Sequence, residues 1–133
     1  MNTQSIPREH AYAHWLPRLI IASIFIYYGV DKFMGGGIAE FSAATGLPEA
    51  VALLVALAEI AAGTLVLVGA FAGSLVTRLG ALCVVPVMLG AILMVHWGQW
   101  HMMPTATHPM GGMGFQVGLL LLATYIFIRG NDL

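Results

Sequence analysis

The sequence predicts an all-α fold, an up-and-down bundle of four transmembrane helices, on three observations. Only 8% of the 133 residues are charged, where a soluble domain carries about 25%, so this chain cannot cover a water-facing surface. Mean hydropathy is +0.89, and four apolar blocks separated by Gly, Pro or polar connections fill most of the length. The block at 50–72 runs for 23 residues with one ionisable group, Glu59, and about 20 apolar residues suffice to cross a bilayer.

Residues 1–14 are polar and include Glu9. No short apolar core with a small-residue cleavage site follows, so they read as a cytoplasmic N-terminal segment and not as a signal peptide. Residues 15–133 form the four-helix domain. The first helix is expected over 15–34, with Pro17 suited to a first turn, Arg18 inside its start, and Asp31 and Lys32 at its end. Its uninterrupted apolar part, 19–30, is short and spans if the flanking charges snorkel to the interfaces. Gly35-Gly36-Gly37 stops it, and residues 38–44 suit a short interfacial helix. Pro48 fixes φ and Glu49 complements the positive end of the helix dipole, opening the second helix over 50–72. After a tight Gly73-Ser74 connection, the third helix covers 75–97. Pro86 in its middle is tolerated where neighbours or water meet the freed carbonyl. A loop rich in His, Met and Gly fills 99–113. The fourth helix covers 114–128, with the apolar 110–113 segment available to extend it, and Arg129 closes it.

Basic residues orient the bundle. The N-terminus, the connection between the second and third helices and the C-terminus share one side, with Arg8, Arg18, Arg78 and Arg129, while the other side holds Lys32. Positive residues mark the cytoplasmic side, so both termini are expected there. Trp15, Trp97 and Trp100 fit interfacial anchors. The net charge of −1 gives no argument for nucleic acid, and Cys83, the single cysteine, rules out a disulfide framework, a CxxC redox pair and a CxxCH haem site.

Glu59 is the costly residue: a charged side chain at a helix centre costs about 2.5–3.5 kcal/mol on insertion scales. The stripe through it reads Ala52, Val55, Ala56, Glu59, Ala62, Gly63, Val66, and large aliphatics lie opposite. Small residues let helices approach closely while large ones suit lipid, so Glu59 faces the bundle interior. Arg78 and His96 lie eighteen residues apart, about five turns, which puts them on one stripe of a straight helix. Two polar layers follow. One holds Arg18 and Arg78; the outer one holds Asp31, Lys32, His96 and Gln116, with Glu59 within reach of either. Its partner is Lys32 if the pocket opens outward, and an arginine if the helices stagger.

Leu-Arg18-Leu, Tyr28-Gly29-Val-Asp-Lys32, Gly46-Leu47-Pro48, Glu59 with Gly63 and Gly69, Arg78, Met88, His96 and a Gly-Gly-x-Gly-Phe-Gln116 stretch occur in this order. Together, from Arg18 onward, they resemble the DoxX family of small four-helix membrane proteins. The family often has a glutamate where this chain has Gln116, which puts in doubt any role needing a second carboxylate there. The resemblance implies a bacterial inner-membrane protein, in some members tied to quinone-linked oxidation of sulfur compounds such as thiosulfate. In others it implies association with redox or detoxification proteins.

The expected function is a membrane subunit whose polar pocket handles a quinone or another small amphiphile. Glu59 and His96 transfer protons in that scheme, and Arg18, Lys32, Arg78 and Gln116 supply the polar contacts. No electron carrier of its own is visible in the chain, so a redox partner, soluble or membrane-bound, supplies electrons. The lipid bilayer is the other partner, and a second copy of the chain is a further one, since four short helices leave little room for an internal cavity. Two other classes stay open: a non-catalytic anchor or assembly factor, with Glu59 and the arginines as structural ion-pair and headgroup residues, and a small proton-coupled transporter. The run His96, His101, Met102, Met103, His108, Met110, Met113 invites a copper site, since thioethers with imidazoles select Cu(I), but its spacing fits no fixed ligand frame. No GK[ST] follows either glycine run, so neither is a phosphate loop.

Overall fold

The computed structural model describes residues 8–133, in which every regular element is helical. Of the polar segment 1–14, residues 1–7 lie outside the described residues. A short helix α1 (Arg8–Ala13) leads into α2 (Trp15–Asp31). Helix α3 (Gly37–Thr45) is the expected short element after the glycine run, and α4 (Glu49–Ala72) is the long helix with Glu59. Helix α5 (Ser74–Ala91) carries Pro86 and runs directly into a π-helical turn, Ile92–His96, and α6 (Gly114–Arg129) follows the His/Met loop.

Among the described residues three stretches are long and apolar enough to cross a membrane: Ala11–Asp31, Glu49–Ala72 and Ser74–His96. The fourth, α6, is apolar but has 16 residues, about 24 Å of rise against a hydrocarbon core near 30 Å. The 110–113 segment does not lengthen it. Gly111 is buried with φ +86°, and a Cβ there would collide with the Met102 carbonyl. The segment is therefore a turn folded against the loop.

Helix α4 packs against both α2 and α5, α5 packs against α6, and α2 and α6 meet only weakly. Consecutive helices are thus neighbours. The reversal between α4 and α5 is a single residue, Gly73, at φ +115°. Contact is close because small residues line it: a Cβ on Gly80 of α5 would sit 2.7 Å from the Val66 nitrogen and 2.9 Å from the Ala62 oxygen of α4. Such approach is how helices gain dispersion energy where lipid tails are as apolar as leucine. Ile21, Phe25, Val66, Val84 and Ile126 fill the core. Leu54, Phe71, Leu75, Leu93, Leu121 and Ile128 face outward, the apolar belt of a membrane protein.

The α4 stripe is as its residues dictate. Ala52, Ala56, Glu59, Ala62, Gly63 and Val66 are buried, and Leu53, Leu54 and Leu57 are exposed. The α5 stripe differs from the straight-helix expectation. Arg78, Leu82 and Leu89 are exposed, while Thr77, Gly80, Ala81, Val84 and Met88 are buried, and only then do Ile92 and His96 turn inward. Wider i→i+5 winding puts more residues in the turn after Ala91, so the helix end rotates and Arg78 and His96 no longer share a face.

Candidate functional site

A cavity of about 590 Å³ lies between α2, α4, the α5–π segment and α6, with Phe41 and Thr45 of α3 on its wall. That volume falls in the range of small-molecule sites. It lies within one chain where α2 and α6 barely touch, and it is a cleft open at one side, with the exposed Leu54, Met94 and Met110 at its edge. Most of the wall is apolar, including Phe25, Val55, Met88, Phe115 and Leu119. Tyr28 and Thr45 bring hydroxyl-bearing side chains to it, and four further polar side chains interrupt it: Lys32, Glu59, His96 and Gln116.

They form two pairs. Lys32 Nζ lies 2.8 Å from Glu59 Oε2, with the side chains 13% and 6% exposed. The contact is an ion pair at hydrogen-bonding distance. The ammonium also sits 4.7 Å from the Phe41 ring centroid and 3.4 Å from the Tyr28 carbonyl oxygen. A cation over an aromatic face gains electrostatic attraction from the ring, so α3 helps to hold Lys32 inward. Of the two partners open to Glu59 in the sequence, the structure selects the lysine.

The second pair joins the π turn to α6. His96 Nδ1 lies 2.9 Å from the Gly111 carbonyl oxygen, and Gln116 Nε2 lies 3.2 Å from His96 Nε2. Gln116 Oε1 is buried without a partner. Asp31, expected in the same layer, is exposed and does not line the cavity.

The two arginines lie elsewhere. Arg18 is at the other end of α2, fourteen residues before Lys32, or about 21 Å along a helix. It is 1% exposed. Its Nη1 donates to the Val66 carbonyl at 2.7 Å and to Thr77 Oγ1 at 3.0 Å, its Nη2 to Asn131 Oδ1 at 2.9 Å, and its Nε to His14 Nδ1 at 3.2 Å. Thr77 donates to Asn131 Oδ1 at 2.6 Å, and Asn131 Nδ2 donates to the Gly69 carbonyl at 2.9 Å. This knot ties α2, α4, α5 and the segment after α6 together. Arg78 is exposed, and its Nη2 donates to the Ile128 carbonyl at 3.3 Å. The six candidate residues thus separate into a cavity group of four and a remote pair. Thr77 and Asn131 were missed: Thr77 adjoins Arg78, whose charge drew the attention, and Asn131 follows the last helix with no periodic pattern to mark it.

The His/Met loop is held by Gln99, whose Nε2 donates to the His101 and Met103 carbonyls at 2.9 and 2.8 Å and whose Oε1 accepts from Thr105 at 2.7 Å. His108 Nε2 faces the Trp97 carbonyl at 2.5 Å, and Met102, Met103 and Met110 are exposed, Met110 at the edge of the cavity. Among the described residues no three His, Cys, Asp or Glu side chains converge.

A family model, DoxX, matches residues 14–97, more than half of the chain. The match takes in Arg18, Lys32, Glu59, Arg78 and His96 and stops before Gln116. No curated protein and no solved structure matches the chain.

Proposed function

The chain belongs to the DoxX family, and from that premise we propose that it is a subunit of a quinone-linked redox system, with the cavity receiving a quinone or a similar small amphiphile. The observation that carries this reading is the cavity's composition: an apolar wall interrupted by one acid–ammonium pair and one imidazole–amide pair. Apolar walls with a few convergent polar groups are what a small amphiphile needs. The bound quinone would supply the two-electron chemistry, and electrons come from a partner redox protein, in line with sulfur-compound oxidation in some of the family. The chain's own residues bind and handle protons. Glu59 and His96 exchange protons with the ligand's oxygen atoms, Lys32 orients the carboxylate, and Gln116 positions the imidazole. Arg18 is structural in this scheme, and Arg78 anchors the helix end at the interface.

We further place the protein in a bacterial inner membrane with all four of α2, α4, α5 and α6 crossing and both termini cytoplasmic. The cavity then opens toward the outer half of the bilayer. Purification in mild detergent, with identification of co-purifying lipid, quinone and protein, tests the proposal. Bound quinone is expected in the native protein and lost in both Glu59→Gln and His96→Ala. Retention in both variants overturns the pocket.

The second reading, a non-catalytic anchor for a partner oxidoreductase, draws on the Arg18 knot, whose hydrogen bonds hold the helices together at the end remote from the cavity. Under it, the same variants leave partner activity intact and lower only the stability of the bundle.

A further inference from the structure

The unmet polar atom of the cavity, Gln116 Oε1, is an acceptor. The Gly111 carbonyl can only accept, so His96 Nδ1, 2.9 Å away, carries the proton. A neutral imidazole has one N–H, which leaves Nε2 as an acceptor. Gln116 must therefore turn its NH2 toward Nε2, as it does at 3.2 Å. That fixes the amide and leaves Oε1 buried with nothing to accept. An imidazolium would demand the opposite amide orientation, and no carboxylate pairs with this ring: the cavity's other titratable groups are Tyr28 and Lys32 on α2 and Glu59 on α4, and the acid is taken by the lysine.

The other pair closes on itself. The Lys32 ammonium is directed to Glu59, to the Tyr28 carbonyl and to the face of Phe41, so its donors are spoken for. Glu59 Oε2 has that ammonium at 2.8 Å as its partner. One buried acceptor lining the cavity, Gln116 Oε1, is left short of a donor.

We propose that the cavity selects a ligand bearing a hydroxyl donor, the dihydroxy quinol form in preference to the quinone, with Gln116 Oε1 accepting one of its O–H groups. This rests on the cavity reading above and narrows it to a redox form. A carbonyl ligand brings lone pairs to an atom that already has them, and a site shaped to hydrogen-bond a hydroxyl discriminates strongly against an analogue without one.

The test is anaerobic calorimetric titration of the full-length protein in mild detergent with a short-tailed benzoquinol, its quinone and its dimethyl ether. The quinol is expected to bind about tenfold or more tighter than either analogue. Equal binding of all three, tighter binding of the quinone, or an ether that matches the quinol each overturns the donor assignment while leaving the cavity as a binding site. Binding of none overturns the cavity reading and this inference with it. Gln116→Met should lower quinol affinity toward that of the quinone, whose own affinity changes less. An equal loss for both ligands would reduce Gln116 to a structural part and overturn its role.

Discussion

Lys32 and Glu59 depend on one another more than on anything else nearby. Removing one partner of a buried pair leaves an uncompensated charge, which costs about 3–5 kcal/mol, whereas replacing both with apolar groups is often neutral. Glu59→Ala is therefore expected to lower unfolding stability in detergent by that amount, and the double variant Lys32→Met, Glu59→Leu to recover most of it. Additive losses would show that the pair is not coupled. Arg18 makes a contrasting case, since its guanidinium serves four acceptors at once. Lysine keeps the charge but not the planar fork, so Arg18→Lys should cost about 2–3 kcal/mol, near one charged hydrogen bond, in the same unfolding measurement. The importance of Glu59 was legible in the sequence, because a lone acid in an apolar run has few explanations. The role of Arg18 was not, because the bias of basic residues toward one side accounted for it equally well.

Helices α4 and α5 are held at a separation that tolerates no Cβ at Gly80. Overpacking of this kind typically costs 1–3 kcal/mol. Gly80→Ala should lower the midpoint of thermal unfolding accordingly, while alanine at Gly90, where a Cβ meets open space, should leave it nearly unchanged. Element positions were largely readable: the glycine run, Pro48 and Gly73 mark breaks that the backbone obeys within a few residues. The inward stripe of α4 was readable too, since alanines and a glycine alternate with leucines at helical spacing. The π turn was not. Nothing in Ile92-Leu93-Met94-Val95-His96 distinguishes i→i+5 winding from an ordinary turn, yet that winding brings His96 inward beside Gln116. The two halves of the imidazole–amide pair therefore come together through backbone geometry that side-chain periodicity does not encode.

At the scale of the molecule, the two polar groups occupy opposite ends of α2, and the proposed orientation makes a direct claim about each. Ala106→Cys in the loop before α6, in a Cys83→Ala background, should react with a membrane-impermeant maleimide from outside intact cells. A cysteine at Asp132 should react only after the membrane is opened. Labelling of both from outside would mean that α6, with its 16 residues, does not cross.

The knot around Arg18 also orders events in time. Asn131 lies 113 positions after the arginine whose guanidinium it receives, and Thr77 and Gly69 rely on the same amide. During synthesis the first hydrophobic hairpin already offers the guanidinium two of its acceptors, His14 and Val66. Thr77 joins with the next helix and Asn131 last of the four, so the cation's coordination fills stepwise as successive helices emerge.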